Sequence, residues 1–222
     1  MKQKIFGIGF HKTGTTSLAA ALRMLGYRVT GPNGVRDPDI SSKALDMAFE
    51  LAEQYDAFQD NPWPLLYKEM DKRYPGSKFI LTLRRPETWI KSQVAHFGER
   101  ETSMRKWIYG AGCPKGNEAA YIARFEKHTR EVLDYFKDRP NDLLVMELAK
   151  GHGWKELCTF LKIDLIDTPF PHCKEARDKK TARKLAEKTR QERLRQRIRR
   201  RISKWAATIR GILSVPKNVG RF

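Results

Sequence analysis

The chain has few of the features that would settle its class at once. Among 222 residues there are only three cysteines, Cys113, Cys158 and Cys173. They are odd in number and show no C-x-x-C spacing, which argues against a disulfide framework and for reduced thiols in a cytoplasm. No histidine–cysteine cluster has metal-ligand spacing, so no metal site is expected. No apolar run approaches the length of a membrane-spanning helix. The opening "MKQKIFGIGFH" stops its short apolar stretch at glycine, lysine and threonine, and reads as a first strand, not a signal peptide.

Acidic residues are scarce in one place only. The formal net charge is +18, but residues 1–173 carry 26 basic and 22 acidic side chains, whereas residues 174–222 carry 18 basic and 4 acidic. The body is therefore ordinary in charge and the tail strongly basic. From Leu194, the residues Ile198, Ile202, Trp205, Ile209 and Ile212 recur at three- and four-residue spacing, which predicts a basic amphipathic helix. Such a helix can lie on an anionic membrane surface, in this case the inner face of the cytoplasmic membrane. It can equally pack on the chain's own body, pair with a second copy, or stay solvated. The expected division is a domain over 1–173 and a basic helical tail over 174–222.

Within the body, strand and helix signals alternate. Ile5–Phe10 reads as a buried strand, followed by a helix over Thr15–Leu25 that stops at Gly26. "YRVTG" and "DAFQD" fit a second and third strand, with a helix over Ser42–Tyr55 between them. "PWPLLYKEMDKRYPG" supplies another helix, and "KFILTLR" (Lys78–Arg84) is the clearest buried strand. Pro86 opens the next helix. Residues 99–117 are irregular and read as a flexible lid. Helix Ala119–Lys137, strand "DLLVMEL" and helix Trp154–Leu161 complete the body. The alternation predicts an α/β fold with a central, mostly parallel sheet flanked by helices. In such sheets ligands gather at the carboxyl ends of strands, where Lys12, Asp60 and Arg84 fall.

"GIGFHKTGTTSL" (Gly7–Leu18) places a glycine-bearing loop between a strand and a helix N-terminus. Backbone N–H groups and the helix dipole suit that position to an anion, and Thr13, Thr15, Thr16 and Ser17 add hydroxyl donors. Gly14 permits close approach. Gly9 and Gly14 have the spacing of a GxxxxGK[ST] loop, but Thr15 stands where an NTPase needs lysine. Lys12 lies inside the loop instead, where it could reach a bridging oxygen.

"HKTGTTS" resembles the 5′-phosphosulfate loop of sulfotransferases that use 3′-phosphoadenosine 5′-phosphosulfate (PAPS), with His11 in place of the usual proline. "KFILTLRRPETWIKS" is similar to that family's 3′-phosphate segment, through Arg84, Pro86 and Ser92; Arg85 departs from its usual Asn or Asp. "QDNPWPLL" resembles the stretch carrying the base, with Asp60 two residues before Pro62. "DTPFPHC" is similar to the end of small bacterial members, without the asparagine that often follows.

The resemblance implies a P-loop-like sulfotransferase fold and metal-free, in-line transfer of a sulfuryl group to a hydroxyl or amine, leaving adenosine 3′,5′-bisphosphate (PAP). It implies Lys12 on the leaving phosphate and bridging oxygen. It implies Thr13, Gly14, Thr15, Thr16 and Ser17 around the 5′-phosphate, and Arg84 and Ser92 on the 3′-phosphate. Asp60 is the expected base; it could instead cap the following helix, and His11 and His96 are alternative bases. The acceptor is expected to be a small molecule, a lipid or a carbohydrate. A nucleotide kinase and a nucleic-acid-binding protein are the competing readings. The first is opposed by the missing loop lysine. The second is supported by the tail alone, and no nucleic acid is expected as partner.

Overall fold

The computed structural model describes residues 3–173 and Gln191. The basic helix expected over 174–222 therefore lies outside the described residues. Five strands form one sheet: β1 (Ile5–Gly7), β2 (Val29–Thr30), β3 (Ala57–Phe58), β4 (Lys78–Thr82) and β5 (Leu143–Met146). Their order is β2-β3-β1-β4-β5 and every pairing is parallel. The helices are α1 (Thr15–Met24), α2 (Ile40–Gln54), α3 (Trp63–Arg73), α4 (Pro86–Phe97), α5 (Ser103–Tyr109), α6 (Glu118–Tyr135) and α7 (Trp154–Leu161). A parallel sheet needs cover on both faces, and the strand sequences supply two apolar sets by simple alternation. Phe6, Phe58, Phe79 and Leu81 point toward α2, α3, α4, α5 and α6. Ile5, Ala57, Ile80 and Met146 point toward α1 and α7.

The larger face is held by aromatic rings in strand register. Phe6 pairs with Phe58 on β3 and with Phe79 on β4, and the ring centroids are 4.8 and 5.4 Å apart. Phe136 extends the row, 4.9 Å from Phe79. Opposite them, α2 presents Ala44, Ala48 and Ala52, each four residues from the last and almost wholly buried.

The apolar run Ile5–Phe10 outlasts its strand. Ladder pairing ends at Gly7, although Ile8 and Phe10 remain buried, because the chain leaves the sheet to form a loop while still packing beneath it. The same holds at β4, which ends at Thr82 and not at Arg84. Residues 99–117 are more ordered than the lid expected there. They contain α5, whose N-terminus is capped by Thr102 accepting from the Arg105 amide at 3.2 Å. Met104, Ile108 and Tyr109 are buried. The helix has only seven residues, too short for periodicity to reveal. No helix among the described residues is long and apolar enough to cross a membrane.

Phe6 sits at the centre of the aromatic row, fully buried. Phe6→Ala is expected to cost about 3–5 kcal/mol, read as a lowered urea midpoint; a loss under about 1 kcal/mol would show that the row does not carry the sheet.

Candidate functional site

The carboxyl ends of all five strands open into one cleft of about 1730 Å³. Its lining draws on Gly31 and Pro32 after β2, Gln59–Asn61 after β3, the loop and helix start His11–Ser17 after β1, Leu83 and Arg84 after β4, and Leu148 and Ala149 after β5. Lys12, Thr13, Gly14, Thr15, Thr16, Ser17, Asp60, Arg84 and Ser92 all line this space. These sequence-predicted residues, spread over positions 12 to 92, are thus brought together.

The loop after β1 is fastened to β4 and α4 by specific bonds. Gly9 lies against β4 so closely that a Cβ there would sit 2.1 Å from Thr82 Oγ1 and 2.4 Å from Thr82 O. Only glycine permits that approach. Thr13 Oγ1 donates to Phe10 O at 2.6 Å, which uses its one proton, so Thr82 Oγ1 is the donor in the 2.6 Å bond between the two hydroxyls. Trp89 Nε1 and Gln93 Nε2, one turn apart on α4, both donate to His11 O, at 3.0 and 2.9 Å. Arg84 Nη1 reaches the Lys12 carbonyl at 3.5 Å, and its Nε reaches Thr88 Oγ1 at 3.3 Å. The buried Thr13 hydroxyl is therefore committed to Phe10 O and Thr82.

Gly14 precedes α1 with φ 112°, and a Cβ there would meet Leu148 Cδ1 at 2.4 Å. Both constraints favour glycine at this turn into α1. Thr15 Oγ1 donates to Asp60 Oδ2 at 2.9 Å, and Ser17 Oγ accepts from the Cys173 amide at 3.0 Å. The end of the body is thereby tied to the first turn of α1, and His172 and Cys173 join the cleft wall.

Three non-glycine residues among those described have positive φ: Lys12 (67°), Asp60 (65°) and Lys162 (53°). Such a conformation costs of order 1–3 kcal/mol and persists where the surroundings impose it. Two of the three are the residues that sequence reading nominates for chemistry, and both line the cleft. Asp60 does not cap α3, whose N-cap is Pro62 without a side-chain bond. Its carboxylate instead accepts from Thr15 and, through Oδ1, from the Asn61 amide at 2.8 Å.

His11 is buried beside this group, its Nδ1 3.9 Å from Asp60 Oδ1. Nδ1 lies 2.6 Å from Asn61 Nδ2 and Nε2 lies 3.3 Å from Tyr109 OH. With Asn61 donating to Nδ1, the imidazole proton sits on Nε2. Burial, followed by the charges of Arg105 and Lys12, lowers its pKa to about 3. A neutral imidazole whose acceptor nitrogen is already engaged is a poor base, so His11 acts as a strut. His96 is exposed at the rim.

Sequence reading missed Thr82, Gln93, Asn61, Tyr109 and Arg105, which hold or complete the cleft. Trp89 and Gln93 at i and i+4 on an inward face were the available signal; Arg105 gave none.

His11 and His128, the latter lowered to about 4 chiefly by burial, are both neutral in the fold. Free imidazole titrates near 6.5, so on acidification the unfolded chain binds these protons first. The stability conferred is complete above about pH 6.5 and is lost as pH falls toward the folded values. Between about pH 6 and 5 each group contributes up to ~1.4 kcal/mol per pH unit. The urea midpoint should fall across that window; a flat midpoint would contradict neutral burial.

Comparison with known proteins fits this geometry. The sulfotransferase domain family matches residues 4–179. "Ava biosynthesis cluster protein M" of Aspergillus versicolor is 24% identical over 226 aligned positions, which cover 81% of this chain and 84% of that protein. The match runs from the first strand past the end of the described body, over an all-parallel β2-β3-β1-β4-β5 sheet, and this chain is a member of the sulfotransferase domain family.

Proposed function

We propose that the chain moves a sulfuryl group from PAPS to a hydroxyl or amine of a small molecule, lipid or carbohydrate, releasing PAP. The observation that supports the donor assignment is that two groups of cationic and hydroxyl side chains line one cleft. One is the Lys12–Ser17 loop at the start of α1; the other is Arg84 with Ser92 on α4. A nucleotide phosphorylated at both the 5′ and 3′ positions has an anion for each, whereas ATP has no use for the second. The cleft also exceeds the roughly 300–1,000 Å³ of a single small-ligand pocket, which leaves room for an acceptor beside the donor.

PAPS would supply the activated sulfuryl group; the chain's own residues bind, orient and move a proton. The amides of the loop through Thr15, with the hydroxyls of Thr16 and Ser17, take the 5′-phosphate, while the Thr15 hydroxyl stays on Asp60. Arg84 meets the 3′-phosphate with its fork of donors, joined by the Ser92 hydroxyl. The Lys12 ammonium is set by its left-handed backbone where negative charge develops on the bridging oxygen. Preorganised charge of this kind is the largest single contribution in many enzymes. Asp60 takes the acceptor's proton, and the Thr15 and Asn61 bonds hold its carboxylate in place. A positioned base contributes roughly 10²–10⁴-fold.

Calorimetry should show PAP binding far more tightly than ATP; equal affinities would remove the donor assignment. Lys12→Ala is expected to lower kcat by about 10²–10³ while PAP binding stays measurable. Arg84→Ala should act in the opposite sense, mainly weakening PAP. Unchanged turnover in Asp60→Asn would dismiss it as the base.

A further inference from the structure

The charge of the cleft exceeds what the donor requires. Lys12, Arg23, Arg84 and Arg105 line it, against one carboxylate, Asp60. Lys12 and Arg84 are accounted for by the donor, and Arg23 donates to Val29 O at 3.3 Å on the far side of α1. Arg105 is not accounted for. It is only 4% exposed, and among the described residues it forms no ion pair. Its Nε donates to Gly112 O at 2.9 Å and its Nη2 to Arg100 O. These carbonyls orient the guanidinium without cancelling its charge. Burial accordingly holds its pKa below the ordinary arginine value. A buried cation without a countercharge is costly, and nothing in the loop it fastens requires one.

Its surroundings lead to the proposed base. The guanidinium lies 4.5 Å from the centre of the Phe97 ring, and Phe97 packs edge-on to His11 at 5.1 Å. His11 in turn is 3.9 Å from Asp60. Arg105 thus stands two side chains away from the proposed base, on α5, which packs against α2. Phe97, Met104, Val35 and Pro32 give the cleft apolar lining as well.

Resting on the sulfotransferase reading, we propose that Arg105 recognises the acceptor, and that this acceptor has an apolar body ending in an anionic group, a carboxylate or its equivalent, several bonds from the hydroxyl that receives the sulfuryl group. Arg105 is then a specificity residue for the acceptor and makes no contact with the donor.

The test uses the full chain saturated with PAP and titrated with matched probes: p-hydroxyphenylpropanoate against its primary amide, and ω-hydroxydecanoate against its primary amide. At least one acid should bind about 10-fold or more tighter than its amide. Arg105→Gln should shrink that ratio to about 2-fold or less, and Arg105→Lys should retain part of it. PAP affinity should be unchanged in both variants. Acid and amide indistinguishable in both pairs, including no binding by either, overturns the proposal, as does a ratio that survives Arg105→Gln. The wild-type comparison stands even where a variant fails to fold. Failure to bind PAP overturns the donor reading as well, whereas PAP binding without acid preference overturns this proposal alone.

Discussion

The close approach of β1 to β4 is the constraint from which the site follows. Parallel pairing puts Phe6 beside Phe79 and Gly7 beside Ile80, and the next contact, Gly9 against Thr82, leaves no space for a Cβ. From there the Thr13–Thr82 hydroxyl bond and the two α4 donors on His11 O lock the loop to the following turn. Residues at positions 12 and 84 become neighbours because the strands that launch them are neighbours. If β1 were paired with a different strand, the loop would still exist, but it would face no second cation.

Local electrostatics matter more here than the overall charge. The excess of +18 comes mainly from the basic tail, outside the described residues. Inside the cleft a few cations face one carboxylate, and their effect is strengthened by low-dielectric walls. The strained backbone at Lys12 and Asp60 places one cation and that carboxylate on adjoining loops. Neutral His11 fills the space between the Asp60 loop and α5 without adding charge.

Much of this was legible in the residues. Alternation of strand and helix signals predicted the parallel α/β sheet, and helix Trp154–Leu161 is read with the same bounds in sequence and structure. The loop at Gly9–Ser17 was visible because glycine placement survives in one dimension, and Arg84 and Ser92, singled out as a pair by the family resemblance alone, line the same cleft. What was not legible depends on three-dimensional partners. Gly9 reads as part of a spacing pattern, yet its role is contact with Thr82. Asp60 reads equally as a helix cap until its bonds to Thr15 and Asn61 are seen. Arg105 is one arginine among many, and only its burial without a countercharge sets it apart. Short elements such as α5 escape periodicity altogether.

The central claim is that a single nucleotide spans the loop after β1 and the turn after β4. A crystal structure of the chain with adenosine 3′,5′-bisphosphate tests it most directly. The account predicts the 5′-phosphate against the amides of residues 13–17 and the 3′-phosphate within hydrogen-bond distance of Arg84 and Ser92. A nucleotide bound with only one phosphate in the cleft, or bound outside it, would contradict the account.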